Sequence, residues 1–158
     1  MENKSLKIAI IIHSKTGNTL SVAEKIKDKL VNLGHQVALE RVTASNNDEP
    51  EVAKIELSNK PGVEGYDAYV FGAPVNGFML SGVMRAYLAQ ISELGNKPVY
   101  CFLTQYFPFR WMGGNNALRQ FKIALNKKSA LVKGTGIVNW SNKKRDALID
   151  NTVNIISF

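Results

Sequence analysis

The sequence has little of what several classes of site require. Its 158 residues contain one cysteine, Cys101, and two histidines, His13 and His35. An intramolecular disulfide and a C-x-x-C redox motif are therefore excluded, and no metal site is expected. No apolar run approaches the roughly 20 residues of a membrane-spanning helix, and the apolar stretch near the N-terminus is too short for a signal peptide. We expect no membrane span and a reducing, cytoplasmic location.

Acidic residues are also missing from a long stretch of the chain. No Asp or Glu lies between Leu94 and Arg145, so residues 1–93 carry a net charge of −1 and residues 94–158 a net charge of +8. This asymmetry indicates either an anionic partner or simply a solvated basic surface. The length and the 45% hydrophobic content are typical of a single globular domain, which we expect to span residues 1–158.

Apolar runs alternate with helical patterns along the chain. The expected strands are 6–12, 36–42, 67–75, 98–104 and 130–140. The expected helices are 19–33, 81–94, 115–126 and one from about 142, with Ser141 as its N-cap and with a polar, weakly patterned segment at 43–65. Such alternation predicts a three-layer, doubly wound α/β fold with a five-stranded parallel sheet. Ligands of these folds bind beyond the carboxyl ends of the strands, which directs attention to the loops after Ile12, Phe71 and Leu103.

The first loop (residues 13–19) joins a strand to a helix and is rich in hydroxyl side chains. Unpaired N–H groups and the helix dipole favour a phosphate at such a place, and a glycine lets the backbone approach closely. The loop is neither a Walker A motif nor a G-x-G-x-x-G fingerprint, and a hydroxyl-rich helix cap is the alternative interpretation. The candidate phosphate-binding residues are Ser14, Lys15, Thr16, Gly17, Asn18 and Thr19.

These six residues resemble the S/T-x-T-G-x-T phosphate loop of flavodoxins. The element order and the length are also similar to short-chain flavodoxins, so the resemblance covers essentially the whole chain. It implies the flavodoxin-like strand order 2-1-3-4-5 and an FMN cofactor whose 5′-phosphate lies on the first loop.

The second loop (residues 72–78) resembles the G-[TS]-P-hydrophobic loop that lies against the isoalloxazine ring in flavodoxin-like proteins. The resemblance implies that Asn76-Gly77 is the peptide that turns a carbonyl toward the flavin N5–H. Phe78 is expected either to cover one ring face or to pack into the core. The candidate residues of this loop are Pro74, Val75, Asn76, Gly77 and Phe78.

The third loop (residues 104–114) holds four aromatic residues within six positions, which a solvent-exposed loop rarely carries without a partner. The resemblance implies that one aromatic stacks on the flavin, with Tyr106 the first candidate and Trp111 the second. Thr104 and Gln105 are expected to hydrogen-bond the pyrimidine edge through side chains or backbone, and Gly113 completes the candidate set. The alternatives are a closure of the core, a dimer patch, a lid or a docking surface.

Three functions fit these observations to different degrees. The first is an FMN-binding electron carrier between redox partners, and the second is an FMN-dependent NAD(P)H or quinone reductase on the same fold. The third, a basic nucleic-acid or regulatory module, is disfavoured because no nucleic-acid motif is present and the aromatics gather in one loop. The basic charge predicts a redox partner with an acidic docking surface, or a small anionic or quinone substrate. The sequence leaves a monomer and a dimer equally open.

Overall fold

A five-stranded parallel sheet forms the centre of the protein in the computed structural model, which describes residues 4–158. The order of the strands in this sheet is β2-β1-β5-β7-β8. It is the predicted order 2-1-3-4-5, because the additional short strands β3, β4 and β6 raise the numbers of the strands that follow them. The strands are β1 Lys7–Ile12, β2 Gln36–Arg41, β3 Thr43–Ala44, β4 Leu57–Asn59, β5 Ala68–Asn76, β6 Met79–Leu80, β7 Pro98–Gln105 and β8 Leu131–Asn139. The helices are α1 Asn18–Asn32, α2 Gly82–Gln90, α3 Gly114–Asn126 and α4 Arg145–Ile155.

The sheet separates two apolar layers, as the alternation of side chains along a strand requires. Ile8, Ile10 and Ile12 of β1 pack with α1 and α4 on one face, whereas Ala9 and Ile11 pack with α2 and α3 on the other. Residues 8–12 are all fully buried, which explains why this strand reads as an unbroken apolar run. The predicted three-layer fold is confirmed.

Two helix boundaries differ from prediction. The helix expected at 81–94 ends at Gln90, and Ser81 is its N-cap, with Oγ accepting the Met84 N–H at 3.2 Å. The last helix begins at Arg145 instead of Asn142. Ser141, expected to be its N-cap, instead donates its hydroxyl to the carbonyl of Tyr106 at 2.6 Å, because the turn before α4 is used to hold the third loop.

The segment between β2 and β5 contains structure that the sequence pattern did not reveal. β3 and β4 pair antiparallel, and a single 3₁₀ turn lies between them at Val52–Lys54. The hydroxyls of Tyr69 and Tyr87 donate to the carbonyls of Val63 and Pro61, which fixes the segment against the core. None of the helices within residues 4–158 combines the length and apolar character needed to cross a bilayer.

Candidate functional site

The three predicted loops meet at the carboxyl edge of the sheet. β1 is paired with β5, and β5 with β7, so the loops that follow these strands are neighbours. The hydroxyl oxygens of Thr19 and Thr104 lie 2.7 Å apart and are buried, which joins the first loop to the third. The His13 N–H donates to the carbonyl of Gly72 at 3.0 Å, which joins the first loop to the second.

The first loop presents a row of unpaired backbone donors. Gly17 has a φ of 93° and precedes α1 directly, a left-handed conformation that favours glycine. Within residues 4–158, the N–H groups of residues 15–19 donate to no protein acceptor. Ser14 Oγ accepts the Leu20 N–H at 3.2 Å, and Arg41 donates to the Ser14 carbonyl at 3.0 Å. This cradle of donors at a helix N-terminus fits a phosphate group.

The hydroxyls of this loop do not all face the cradle. Thr16 is exposed, whereas Thr19 is buried and is paired with Thr104. In this conformation, Thr19 can therefore donate to a bound phosphate only through its N–H group. Lys15 is exposed, and its Nζ lies 2.6 Å from Oδ1 of Asp48.

A segment that sequence reasoning missed lies beside the first loop. Residues 47–50 line a cleft of about 490 Å³ together with Lys15, residues 75–77, Met79, Gly82 and Arg85. This segment brings two carboxylates, those of Asp48 and Glu49, to a region where the sequence placed none. No apolar periodicity marks the segment, and only the tertiary structure reveals its position.

His13 connects the first loop to its surroundings. Its Nδ1 lies 2.6 Å from Oγ of Ser81. Burial lowers the pKa of His13 to about 4, with Lys15 and Arg41 acting in the same direction and Asn47 opposing them. The ring is therefore neutral near pH 7.

The second loop forms a hairpin whose turn is one residue later than predicted. β5 extends to Asn76, and Val75 pairs with Leu80 and Asn76 with Met79. The two turn residues are Gly77 and Phe78, with φ values of 55° and 65°, as in a type I′ turn. The turn centre is therefore Gly77-Phe78, not Asn76-Gly77, because the short strand β6 fixes the register. Pro74 and Val75 lie within β5, below the turn.

The aromatic residues of the second and third loops contact one another. The rings of Phe78 and Phe107 are stacked, with centroids 5.7 Å apart and an interplanar angle of 8°. Tyr106 contacts Phe107 edge-on at 6.2 Å and is 73% exposed. Trp111 is stacked on Phe109 at 6.4 Å, so it belongs to a second pair. Of the two candidate stacking residues, Tyr106 is the one adjacent to the Phe78–Phe107 contact.

Polar side chains fix the backbone of the third loop from below. Gln105 donates through Nε2 to the Met112 carbonyl at 2.6 Å and accepts from Asn139 at 2.9 Å. The side chains of Gln105 and Thr104, expected at the pyrimidine edge, are thus bonded within the protein because they support the loop. Gly113 has a φ of 104°, and a Cβ there would lie 2.5 Å from Cα of Phe78, so only glycine permits this approach of the two loops.

Comparisons with known proteins agree with this architecture. No family model matches the chain. The chain is 27% identical to an NAD(P)H dehydrogenase (quinone) from Archaeoglobus fulgidus over an alignment of 100 residues, which covers 56% of this chain and 52% of that protein. The match therefore spans about half the length of that curated relative.

Solved structures of flavodoxins are similar over almost the whole chain. Oxidised flavodoxin 2 from Bacillus cereus is 20% identical, with a TM-score of 0.64 over 94% of this chain and 96% of that one. A flavoprotein from Lactobacillus acidophilus NCFM, solved in complex with FMN, is 18% identical, with a TM-score of 0.63 over 94% and 99%. A short-chain flavodoxin associated with a bacterial microcompartment is 16% identical, with a TM-score of 0.63 over 95% of each chain. At these identities the similarity establishes the fold.

Proposed function

Because the chain has the flavodoxin fold, we propose that it binds FMN at the carboxyl edge of the sheet and transfers electrons between redox partners. The observation that carries this proposal is the row of free N–H groups at residues 15–19, opposite two aromatic loops. A flavin bound there would supply the redox chemistry. The protein residues bind the phosphate, hold the ring and limit its contact with water.

The phosphate end of FMN is assigned to the first loop. The N–H groups of residues 15–19, with the hydroxyls of Ser14 and Thr16 and the amide of Asn18, supply donors without adding formal charge. Lys15 is held by Asp48 at 2.6 Å, so its contribution is through the backbone. The positive end of the α1 dipole adds to the attraction for the dianion.

The ring end is assigned to the space between the second and third loops. Phe78 and Phe107 are in contact in this conformation, so the flavin replaces that contact with its own stacking on Phe78 and Tyr106. Phe78 sits on an exposed two-residue turn, and this residue is 53% exposed. The other residues proposed to line the ring are Pro74, Val75, Asn76 and Gly77 on one side and Thr104, Gln105 and Gly113 on the other. Trp111 is the second stacking candidate, as an alternative to Tyr106.

The test of FMN binding compares two ligands that differ only in the phosphate. Each hydrogen bond to a charged group contributes about 1.5–3 kcal/mol, so Thr16→Ala/Asn18→Ala should lower FMN affinity at least about tenfold. Riboflavin affinity should remain unchanged. Titrations followed by flavin fluorescence measure both.

Asn32→Ala supplies the matched control, because it removes an exposed asparagine from the opposite end of α1. It should alter neither affinity. An equal loss of FMN and riboflavin affinity in the double variant would show that the phosphate binds elsewhere, and a failure of the wild-type protein to bind FMN would reject the function itself.

A basic helical face suits an acidic redox partner. α2 and α3 contain no acidic residue, whereas five cations lie on these helices or directly after α3. These cations are Arg85, Arg119, Lys122, Lys127 and Lys128. We place the docking site of an acidic partner protein on this face. We also propose that residues 1–158 act as one domain and that the protein works in a reducing cytoplasmic compartment.

The second candidate function is an FMN-dependent NAD(P)H or quinone reductase. It is favoured by the 100-residue similarity to an NAD(P)H dehydrogenase (quinone) and by the cleft of about 490 Å³ beside the second loop. Steady-state oxidation of NADPH by the FMN-loaded protein, with and without a soluble quinone, distinguishes the two. Turnover would identify a reductase, and its absence in a protein that is reduced by an external donor would identify a carrier.

A further inference from the structure

The exposed aromatic side chains of this protein are confined to one edge. Of the aromatic residues that the structure describes, only five are classed as exposed, and all lie on the second loop or the third. They are Phe78, Tyr106, Phe107, Phe109 and Trp111, which are 42–73% exposed. Phe109 and Trp111 form a separate stacked pair, so stacking of one flavin on Tyr106 leaves this pair without a partner.

The backbone acceptors of the third loop are almost all engaged inside the protein. The carbonyl of Tyr106 accepts from Ser141, that of Phe107 from Asn139 and that of Pro108 from Asn142, at 2.6–3.0 Å for the side-chain bonds. Further along the loop, internal bonds reach the carbonyls of Phe109, Arg110, Met112 and Gly113.

The N–H groups of the same loop are mostly free. Those of Phe107, Phe109, Arg110 and Trp111 donate to no acceptor within residues 4–158. The loop therefore offers apolar rings and hydrogen-bond donors to its surroundings while offering almost no backbone acceptor.

Cations flank these aromatic side chains. Arg110 lies between Phe109 and Trp111, and the Asn142 amide donates to the Pro108 carbonyl at 2.9 Å, which places the exposed Lys143 and Lys144 beside the loop. No acidic residue occurs between Leu94 and Arg145. The surface therefore combines exposed aromatic side chains with neighbouring positive charges.

We propose that this aromatic-basic surface, residues 106–112 with Lys143 and Lys144, docks on the surface of an anionic lipid bilayer. The headgroup layer supplies phosphate and ester oxygens, which are acceptors, and acyl chains for the rings. Tyr and Trp are favoured at this depth, and each nearby cation adds attraction to anionic lipid. A second copy of the chain would bring like charges together, because residues 94–158 carry a net charge of +8.

Because Tyr106 also belongs to the proposed flavin site, the test uses the protein with and without FMN. Flotation is measured with vesicles of phosphatidylcholine alone and of phosphatidylcholine mixed with an equal amount of phosphatidylglycerol. We expect the wild-type protein to float with the mixed vesicles and much less with the neutral ones. Phe109→Gln should lower the partition coefficient about tenfold, as expected for losing a buried apolar side chain. Lys143→Gln/Lys144→Gln should lower it by a similar factor of about ten.

Two control variants carry the same kinds of substitution on other surfaces of the protein. Ile123→Gln changes an apolar side chain that is 48% exposed, against 51% for Phe109. Lys25→Gln/Lys60→Gln removes two charges from exposed positions elsewhere. Both should float like the wild-type protein.

Three results would overturn the proposal. One is the absence of flotation with either vesicle at low salt. The second is an equal loss in Phe109→Gln and Ile123→Gln. The third is an equal loss in both lysine pairs, which would indicate general electrostatic adhesion. Absence of flotation together with a salt-sensitive complex with an acidic plant-type ferredoxin, weakened by Phe109→Gln, would assign the surface to a protein partner instead.

Discussion

His13 shows how one buried residue connects three parts of the site. It lies at the end of β1, 3% exposed. Its N–H donates to the carbonyl of Gly72 in the second loop, and its ring is hydrogen-bonded to Ser81 at the start of α2. Its neutral form fits this position because burial disfavours a charge. Protonation would place a cation among Lys15 and Arg41, which already lower its pKa.

The titration of His13 should make the protein less stable in mild acid. The pKa falls from 6.5 to about 4 on folding, so below pH 6.5 the unfolded chain binds a proton that the folded protein does not. The contribution of neutral His13 to the unfolding free energy is therefore fully present above pH 6.5. It is lost as the pH falls toward 4, at a rate of at most about 1.4 kcal/mol per pH unit. Urea unfolding across this range measures the slope.

The comparison variant is His13→Asn, whose amide does not titrate. Its unfolding free energy should depend less on pH in the same window, and an NMR titration of the wild-type ring should give a midpoint well below 6. An unchanged slope in the variant would assign the acid sensitivity to other groups.

Among the elements, the hairpin of the second loop depends on backbone conformations that side chains rarely adopt. Gly77 has a φ of 55°, with nothing within 4 Å of an added Cβ. Gly77→Ala should therefore lower the unfolding free energy by about 1 kcal/mol, since the left-handed conformation costs a residue with a Cβ roughly 1–2 kcal/mol. Chemical denaturation measures the loss.

Gly62→Ala isolates the backbone effect in that measurement. An added Cβ at Gly62 also meets nothing within 4 Å, but its φ lies outside the left-handed region. This variant should be neutral or slightly more stable, because alanine restricts the unfolded chain. Equal losses in the two variants would show that the left-handed conformation of Gly77 is not the cause of the loss.

The sequence pattern predicted the elements that rest on periodicity and missed those that rest on specific contacts. The apolar run at residues 6–12 predicted β1, and the helical pattern at residues 19–33 predicted α1 to within one residue at each end. β6 has only two residues, too few for any period to appear. The assignment of Gln105 to a ligand edge overlooked Asn139, 34 residues away, because a hydrogen bond across the sheet leaves no local signal.

For the whole molecule, the arrangement of charge around the proposed flavin is more balanced than the sequence alone implied. Arg110 lies in the third loop, while Glu49 lines the cleft beside the second. A unit charge at about 10 Å contributes roughly 0.4 kcal/mol in water, which corresponds to about 20 mV for a one-electron step.

Opposite changes in potential should follow from neutralising these two residues. The fully reduced flavin is an anion, so Arg110→Gln should make the second one-electron potential more negative by about 20 mV and Glu49→Gln less negative by a similar amount. Both shifts should shrink at high salt, because salt screens exposed charges. Redox titration of the FMN-loaded protein provides the measurement, and shifts of the same sign in both variants would contradict a long-range field effect.

The hydroxyl pair of Thr19 and Thr104 has a consequence for cooperativity between parts of one ligand. It connects the donor row of the first loop to the base of the third, so ordering either loop lowers the entropic cost of ordering the other. Heterotropic linkage must be reciprocal: inorganic phosphate should tighten riboflavin binding, and riboflavin should tighten phosphate binding by the same factor. Calorimetric titration should show this mutual enhancement in the wild-type protein. The enhancement should disappear in Thr104→Val. Independent binding of the two ligands to the wild-type protein would mean that the two halves of the site are thermodynamically separate.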